Sequence, residues 1–498
     1  MPDLIRHPHR FRLVGRNDLS LRVSNDYYLI FMDQTDTSNG LPKKYEKVVY
    51  IFNLSEDVWP FISAMSDDVA RAKEIEENAN LTDRDLFSIA EESEAIFVSP
   101  KPIHPGFLRY YNSLFGNRKL TILVPKHHTG EICKDILNDQ EIFSKLVKAA
   151  NSVRKLTVTS YSASPQFFRL IEELRKTGIT VYTPESPDEE SAWSVNFFGS
   201  KSGIRQLAQK SSALEPDFQM PDGLVCSGIV DASRIAAHKY LKEDGVVVKT
   251  NKGHSGAGVL IFRPGDLPTQ YRTCQDAILT MLQKDRYWEK FPIVIEDYIH
   301  VNSFIGGGFP DVEFKIQKGG KVEFLYYCGM RVRPDGVFNG VEINEDCIPD
   351  RLAARLIDTG YFIGEQYAAA GYRGYFDVDF VAAKYGGIFV TESNARRTGG
   401  THVYKTAVEL IGKDFMMDSY VLSDNNYQLP NNCKPTFEQI HELLSPILFS
   451  KKEKEGVIIA SSNLLSQGTL AYILFGKNKK RALEIEAQMK ELLKKLTF

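Results

Sequence analysis

Apolar, β-branched runs alternate with helical patterns over the first 190 residues, and that rhythm leaves few folds open. VVYIFNL (48–54), IFVSP (96–100), KLTILVP (119–125), KLTVTSY (155–161) and ITVYTP (179–184) read as buried strands. Between two of them, SPQFFRLIEELRKTG (164–178) spaces its apolar residues by three and four, and Gly178 is placed to end a helix. Strands separated by helices predict a parallel sheet with helices on both faces. The acidic stretch 67–95 reads as a solvated helix or loop, and PESPDEE (184–190) as a linker.

Beyond this segment the pattern changes. WSVNFFGSKSGIRQLAQKSSAL (193–214) reads as a turn and then a helix starting near Ser200. Residues 245–299 read as strands around a glycine loop, a helix and another strand, and 312–345 as antiparallel hairpins. A helix over 350–370 precedes two strands joined by a KYGG turn, and the tail reads as two strands and an amphipathic helix. The chain of 498 residues is long enough for about three domains. With 61 basic and 64 acidic residues, its net charge of −3 gives no global drive toward nucleic acid or acidic membranes. No apolar run approaches the ~20 residues of a membrane span. The start lacks the apolar core of a signal peptide, which predicts a cytoplasmic protein. The six cysteines form no CxxC pair, so free thiols in a reducing compartment are expected.

Three stretches carry chemistry. In GVVVKTNKGHSGAGVLIF (245–262) a strand ends near Lys249, and a loop with Gly253, His254, Ser255, Gly256 and Gly258 leads into a second strand. Glycines let backbone approach an anion closely, and successive N–H groups form an anion-binding concavity. The GK[ST] ending of a Walker A loop is missing, and the loop runs strand to strand. A glycine hairpin with no ligand is the alternative. PIVIEDYIH (292–300) leads four apolar residues into Glu296, Asp297, Tyr298 and Ile299. An edge strand can offer adenine a carbonyl and an N–H side by side; an ordinary buried strand is the alternative. In GYFDVDFVAAKYGGIFVTESNARRTGG (374–400), Glu392 and Asn394 share a strand face, and a hairpin spacing brings Asp379 beside them. Three oxygen-bearing side chains on one face suit Mg²⁺. Arg396 and Arg397 follow, able to clamp a phosphoryl or carboxylate group; a polar hairpin with a surface ion pair is the alternative.

Taken in order, GSKSG with Lys201, Lys249 ahead of the glycine loop, VIEDYI and DVDF–ESNARRTGG resemble the ATP-grasp superfamily over residues 191–425. The α/β segment before and the βα tail after look similar to ATP-grasp peptide ligases of the pheganomycin type. The resemblance implies a multidomain α/β and α+β fold. A Rossmann-like pre-ATP-grasp domain with a parallel sheet would cover 1–190. The ATP-grasp domain would cover 191–430, with a nucleotide lid at 245–300 and a metal-binding part at 305–425. A small βα domain would cover 431–498.

The same resemblance implies roles. Lys201 and Lys249 would contact ATP phosphates, and the loop 253–258 would close over them. Glu296 and the backbone of Asp297, Tyr298 and Ile299 would hold adenine. Asp379, Glu392 and Asn394 would bind two Mg²⁺. Arg396 or Arg397, with the N–H groups of Gly399 and Gly400, would hold the acyl substrate or the transferring phosphoryl group. Asn302 and Ser303 stand where the family carries a ribose-binding acid, and Asp377 where D-alanine ligases carry an arginine. His254, on the lid, touches phosphate, assists the amine proton or does neither. Arg331 and Arg333 either reach the site or serve as surface charge. The implied reaction joins a small-molecule carboxylate to an amine, an amino acid or peptide among them, through an acyl-phosphate with release of ADP and phosphate. Phosphotransfer to a small molecule and non-catalytic nucleotide binding are the rival readings. A homo-oligomer would be usual for the superfamily.

Overall fold

The computed structural model describes residues 46–254, 257–333 and 336–496, with only the backbone of His254 and Ala257. The first sheet contains β1 (Glu46–Ile51), β2 (Glu94–Val98), β3 (Lys119–Leu123), β4 (Lys155–Ser160) and β5 (Val181–Tyr182). Its order is β3-β2-β1-β4-β5, all parallel, as the βαβ rhythm predicts. Alternation along β1 explains why both faces are covered. Val49 and Ile51 pack with Val158, Phe167 and Leu170 on one side, while Tyr50 and Phe52 join Phe87, Phe97 and Phe107 on the other. The helix Pro165–Lys176 is capped by Ser164, whose hydroxyl accepts from Phe167 N at 3.0 Å. The chain order reverses between β1 and β4, so their C-terminal ends open a crevice at the switch point. Asp57 and Tyr161 lie just beyond those two ends.

Two expectations for this segment are corrected. Of the acidic stretch, Asp67–Glu77 and Glu91–Glu94 face solvent, while Asn78 to Ala90 is largely buried. Its acids are buried because they are hydrogen-bonded. Asp83 accepts from Ser461 Oγ (2.5 Å), Ser462 N (2.6 Å), Ser462 Oγ (2.7 Å) and Asn463 N (2.9 Å), clasping the C-terminal region. PESPDEE is likewise no free linker: Glu185 is buried between Lys315 and Arg397, each at 2.7 Å.

The second sheet is antiparallel. It holds β6 (Gly223–Cys226), β7 (Val246–His254), β8 (Ala257–Phe262) and β9 (Ile293–Asp297) in the order β6-β9-β7-β8. The helices Ile229–Glu243 and Tyr271–Leu282 bury Ala236, Ile278 and Leu282 against Val246, Val248, Ile293 and Ile295. The third sheet comprises β10 (Pro310–Ile316), β11 (Val322–Val332), β12 (Phe338–Ile343), β13 (Gly374–Ala382), β14 (Ile388–Glu392), β15 (Tyr420–Gln428), β16 (Gly456–Ile459) and β17 (Thr469–Gly476). Its order is β14-β13-β10-β11-β12-β15-β17-β16. The helix Asp350–Ala369 covers one face; a Cβ at Gly360 would meet the Phe314 ring at 2.2 Å, so only glycine allows that approach. The tail expected as a small domain over 431–498 lays β16 and β17 on the end of this same sheet, which therefore runs on past residue 430. No helix among the described residues is long and apolar enough to cross a membrane.

Candidate active site

The hairpin β13–β14 pairs Asp379 directly with Glu392, as its spacing predicts. Asn394, two residues past β14, donates its backbone N–H and its Nδ2 to Asp377 Oδ1 at 2.7 and 3.0 Å, and Nδ2 also to Asp379 Oδ2 at 3.3 Å. On the other side of β13, β10 sets Asp311 opposite Asp379. One carboxylate oxygen from each of Asp311, Asp377 and Asp379 lies within 4.8 Å of the others, and all three residues are buried.

Such crowding is electrostatically costly, and the acidities record it. Burial, then the charges of its acidic neighbours, pushes the Asp379 carboxyl well above the usual range, and Asp311 likewise. Burial lifts Asp377 to about 7. Glu392 goes the other way. Burial would raise it, but the Lys201 and Lys249 ammonium groups outweigh that and hold it at about 2. Oxygen donors gathered out of water, with more negative charge than they can hold ionised together, are a donor set that fits a divalent cation such as Mg²⁺.

Two lysines reach this cluster from different elements. Lys201 opens the helix Lys201–Ser211, capped by Ser200, and its Nζ lies 2.7 Å from Glu392 Oε2. Lys249, on β7, lies 2.6 Å from Glu296 Oε2 and donates to Thr391 O at 3.4 Å. Glu296 is buried and shared with Arg205 at 2.6 Å, so its side chain is spent in holding two cations. Asp297 pairs with Lys239 at 2.6 Å. Tyr298 and Ile299 follow half-buried, while Ser303 lies in an exposed turn. Gly253 borders a cleft with Asp57, Lys201, Lys252, Glu392, Asn394 and Arg396. Gly258 has a φ of +80° and stands where a Cβ would meet Thr250 at 2.3 Å. Ser255, Gly256 and the side chain of His254 lie outside the described residues.

The adjacent arginines part company. Arg396 turns into the cleft and is held at every nitrogen. Nε donates to Asp57 Oδ2 at 2.8 Å, Nη1 to Tyr161 Oη at 3.2 Å and Nη2 to Asn394 Oδ1 at 3.1 Å. Arg397 turns into the core. It donates to Ser88 O at 3.2 Å and to Glu185 at 2.7 Å, and lies over the Tyr375 ring at 4.4 Å and the Tyr50 ring at 5.2 Å. Its geometry is that of a domain fastener. Arg331 points toward the C-terminal helix, 2.7 Å from Glu486, and Arg333 is exposed.

Sequence reasoning missed Asp311, Asp57, Tyr161 and Lys252. The i, i+2 spacing of Asp377 and Asp379 was a usable signal that both face the site. Asp57 carried none, because its place follows from the crevice between β1 and β4.

The sequence matches no protein-family model and no curated protein. Solved structures do match the fold. The biotin carboxylase of Campylobacter jejuni, in a beta-gamma-ATP complex, superposes with a TM-score of 0.54 at 13% identity over 91% of this chain and 92% of that one. The N5-carboxyaminoimidazole synthetase of Staphylococcus aureus, complexed with ADP, gives 0.52 at 10% identity over 91% and 98%. The chain has the ATP-grasp fold. A biotin carboxylase domain from Hydrogenobacter thermophilus agrees, with a TM-score of 0.52 at 11% identity over 90% of each chain. In this ATP-grasp fold the parallel sheet of residues 46–182 and the two antiparallel sheets are parts of one architecture.

Proposed function

We propose that this protein is an ATP-dependent ligase that activates a carboxylate as an acyl-phosphate and passes the acyl group to an amine. The observation that carries the reading is the convergence of Lys201, Glu392, Asn394 and Arg396, from two segments far apart in the chain, on one cleft. Lys249 and the buried acids Asp311, Asp377 and Asp379 lie alongside. Asp379, Glu392 and Asn394 would hold Mg²⁺, with Asp377 and Asp311 beside them. The metal supplies charge neutralisation for the nucleotide phosphates. Lys201 and Lys249 each keep further N–H donors beyond their glutamates and can grip phosphate oxygens. The strand end at Asp297 to Ile299 offers adenine backbone groups. Arg396, clamped by Asp57 and Tyr161, orients the reacting oxyanion, a role in which fixed geometry matters more than bond strength. The glycine loop at 253–258 closes over the phosphates and keeps water from the mixed anhydride. For the chain as a whole we assign substrate contacts to 46–190, catalysis to 191–430 and support of the sheet end to 431–498.

Amide formation of the peptide-ligase type is the finer reading. A second is favoured by the Hydrogenobacter domain, which was solved with MgADP and bicarbonate: the activated carboxylate is bicarbonate. The two are separated by ADP release with Mg-ATP across amino acids and small peptides, with and without bicarbonate, with products followed by mass spectrometry. ADP release that needs both a carboxylic acid and an amine, and a product equal to their sum less water, is the expected result. Release that needs bicarbonate, with a product heavier by carbon dioxide, establishes the second reading. A phosphorylated product overturns both.

Lys249→Ala tests the nucleotide site. Losing a charged hydrogen bond of about 1.5–3 kcal/mol should weaken ATP binding about tenfold or more. Unchanged affinity by calorimetry would reduce Lys249 to a partner of Glu296.

A further inference from the structure

Lys252 differs from the other cations of the site. It lines the cleft with Lys201, Gly253, Glu392 and Arg396. Its neighbours already have carboxylate partners: Lys201 has Glu392 at 2.7 Å, Arg396 has Asp57 at 2.8 Å, and Lys249 has Glu296 at 2.6 Å. Lys252 forms no ion pair among the described residues, and its ammonium donates to the neutral Asn196 Oδ1 at 2.9 Å. Its charge acts on Asp57, but the Asp57 oxygens are taken by Arg396 Nε at 2.8 Å and Ser162 Oγ at 2.9 Å. One carboxylate thus serves two cations, and one positive charge is left over. Burial accordingly holds the Lys252 ammonium below its usual pKa. The place is open to a ligand: Lys252 is half-buried, and the Arg396 and Asp57 side chains keep 15% and 13% of their surface exposed.

The strand β7 sets where along the cleft this charge falls. Val246 pairs with Asp297, where the proposed adenine contacts begin. At ~3.3 Å per residue, Lys249 lies about 10 Å along β7 from that point and Lys252 roughly 10 Å further. Strict alternation would turn Lys252 to the face opposite Lys249. The pairing of β7 with β8 shifts register between Lys249 and His254, and this irregularity releases the strand from that rule. Asn251 pins the same stretch to the start of the helix Lys201–Ser211, accepting from Ser202 N at 2.9 Å. The order along β7 is therefore adenine contacts, phosphate lysine, then Lys252, which shares its part of the cleft with Asp57 and Arg396.

We propose that Lys252 is the acyl-substrate anchor: with Arg396 it grips the carboxylate to be activated and then the phosphoryl oxygens of the acyl-phosphate. Assigning the anion to an acyl substrate rests on the function proposed above; the binding of an anion at Lys252 does not. In the activation step a carboxylate oxygen bonds to the γ-phosphorus, the bond from that phosphorus to the β,γ-bridging oxygen breaks, and its electron pair leaves with ADP. No proton moves, so the step needs fixed cations and not a base. Lys252 has N–H groups to spare, and an anionic oxygen is a stronger acceptor than the Asn196 amide.

The test uses the full chain and the variant Lys252→Met. The first readout needs no turnover: inorganic phosphate is titrated calorimetrically into protein saturated with Mg-ADP. Lys252→Met should weaken phosphate binding about tenfold or more and leave Mg-ADP affinity within about twofold. Its unfolding temperature should stay within about 2 °C of the wild type, because no ion pair is lost. A wild type that binds no phosphate at millimolar concentration, equal phosphate affinity in the variant, Mg-ADP affinity that falls as far as phosphate affinity, or a larger loss of unfolding temperature would each overturn the anchor. The second readout is ADP release with the acid and amine that the product screen above identifies. Lys252→Met should raise KM for the acid about tenfold or more and lower kcat, with KM for ATP and for the amine unchanged. An unchanged KM for the acid, or a rise confined to ATP or the amine, would overturn the acyl assignment. No ADP release from any compound would instead sink the ligase reading, with the phosphate titration still deciding whether Lys252 binds an anion.

Discussion

Replacing Glu392 with glutamine is expected to abolish ATP turnover, by about 10³-fold or more, and to leave the chain folded. Glu392 is the carboxylate on which Lys201 and Lys249 act, and the one acid of the cluster held below its ordinary range. It is therefore ionised before any cation arrives, while burial and its acidic neighbours push the Asp379 carboxyl beside it well above the usual range. Glutamine keeps the shape and a hydrogen-bonding oxygen but removes the charge. Some stability should be lost, because a carboxylate held at about 2 by Lys201 and Lys249 stabilises the fold, but relief of the crowded acids offsets part of it and the chain stays folded. Steady-state ADP release and a thermal unfolding scan together check this. Wild-type turnover in Glu392→Gln would remove the metal assignment, and a large fall in unfolding temperature would make Glu392 a structural partner of Lys201. Asp379→Asn should behave in the same way.

Arg397→Ala is expected to act on stability, costing about 3–5 kcal/mol, because it strands Glu185 in the interior without its main counter-charge. Arg397 joins Glu185 at 2.7 Å and lies over Tyr375 and Tyr50, so it ties the parallel sheet to the large antiparallel one. Lysine should not rescue it, since the planar fork and the ring contacts both require a guanidinium. The pair also sets an acid limit. Burial alone would raise Glu185, but Arg397 and Lys315 hold it at about 2, below the ~4.3 of an unfolded glutamate. Its contribution is complete above pH ~4.3 and is lost as pH falls toward 2. Denaturant unfolding between pH 5 and 2 should show that loss in the wild type and a shallower slope in Arg397→Ala. Equal slopes would show that Lys315 alone sustains Glu185. An Arg397→Ala variant of full stability but no turnover would return Arg397 to the reaction centre.

The contrast between these neighbouring arginines shows how much of the site was legible. Local periodicity was enough for the hairpin 374–392, for Asp379 opposite Glu392 and for the Ser200 cap that starts the helix carrying Lys201. Each depends on residues close in the chain and on a fixed repeat of two or 3.6. In ARR, by contrast, nothing in the pattern says which guanidinium faces the cleft. The choice is made by Asp57 and Tyr161 on one side and by Glu185 and Ser88 on the other, all more than 200 positions away.

The same division holds for the acids. Composition and motif marked 67–95 and 184–190 as polar, and polar segments are ordinarily solvated. Their burial became affordable only where Ser461, Ser462 and Asn463 could satisfy Asp83, and Arg397 and Lys315 could satisfy Glu185. Sequence alone determined the elements, the sheet types and the short-range residue sets, because propensity and alternation are local properties. Tertiary structure decided which strands became neighbours, as when β10 brought Asp311 to Asp379 and β17 joined β15. It also decided which charges were paired. Those outcomes are set by the burial and hydrogen-bond satisfaction of distant groups, which no local pattern encodes.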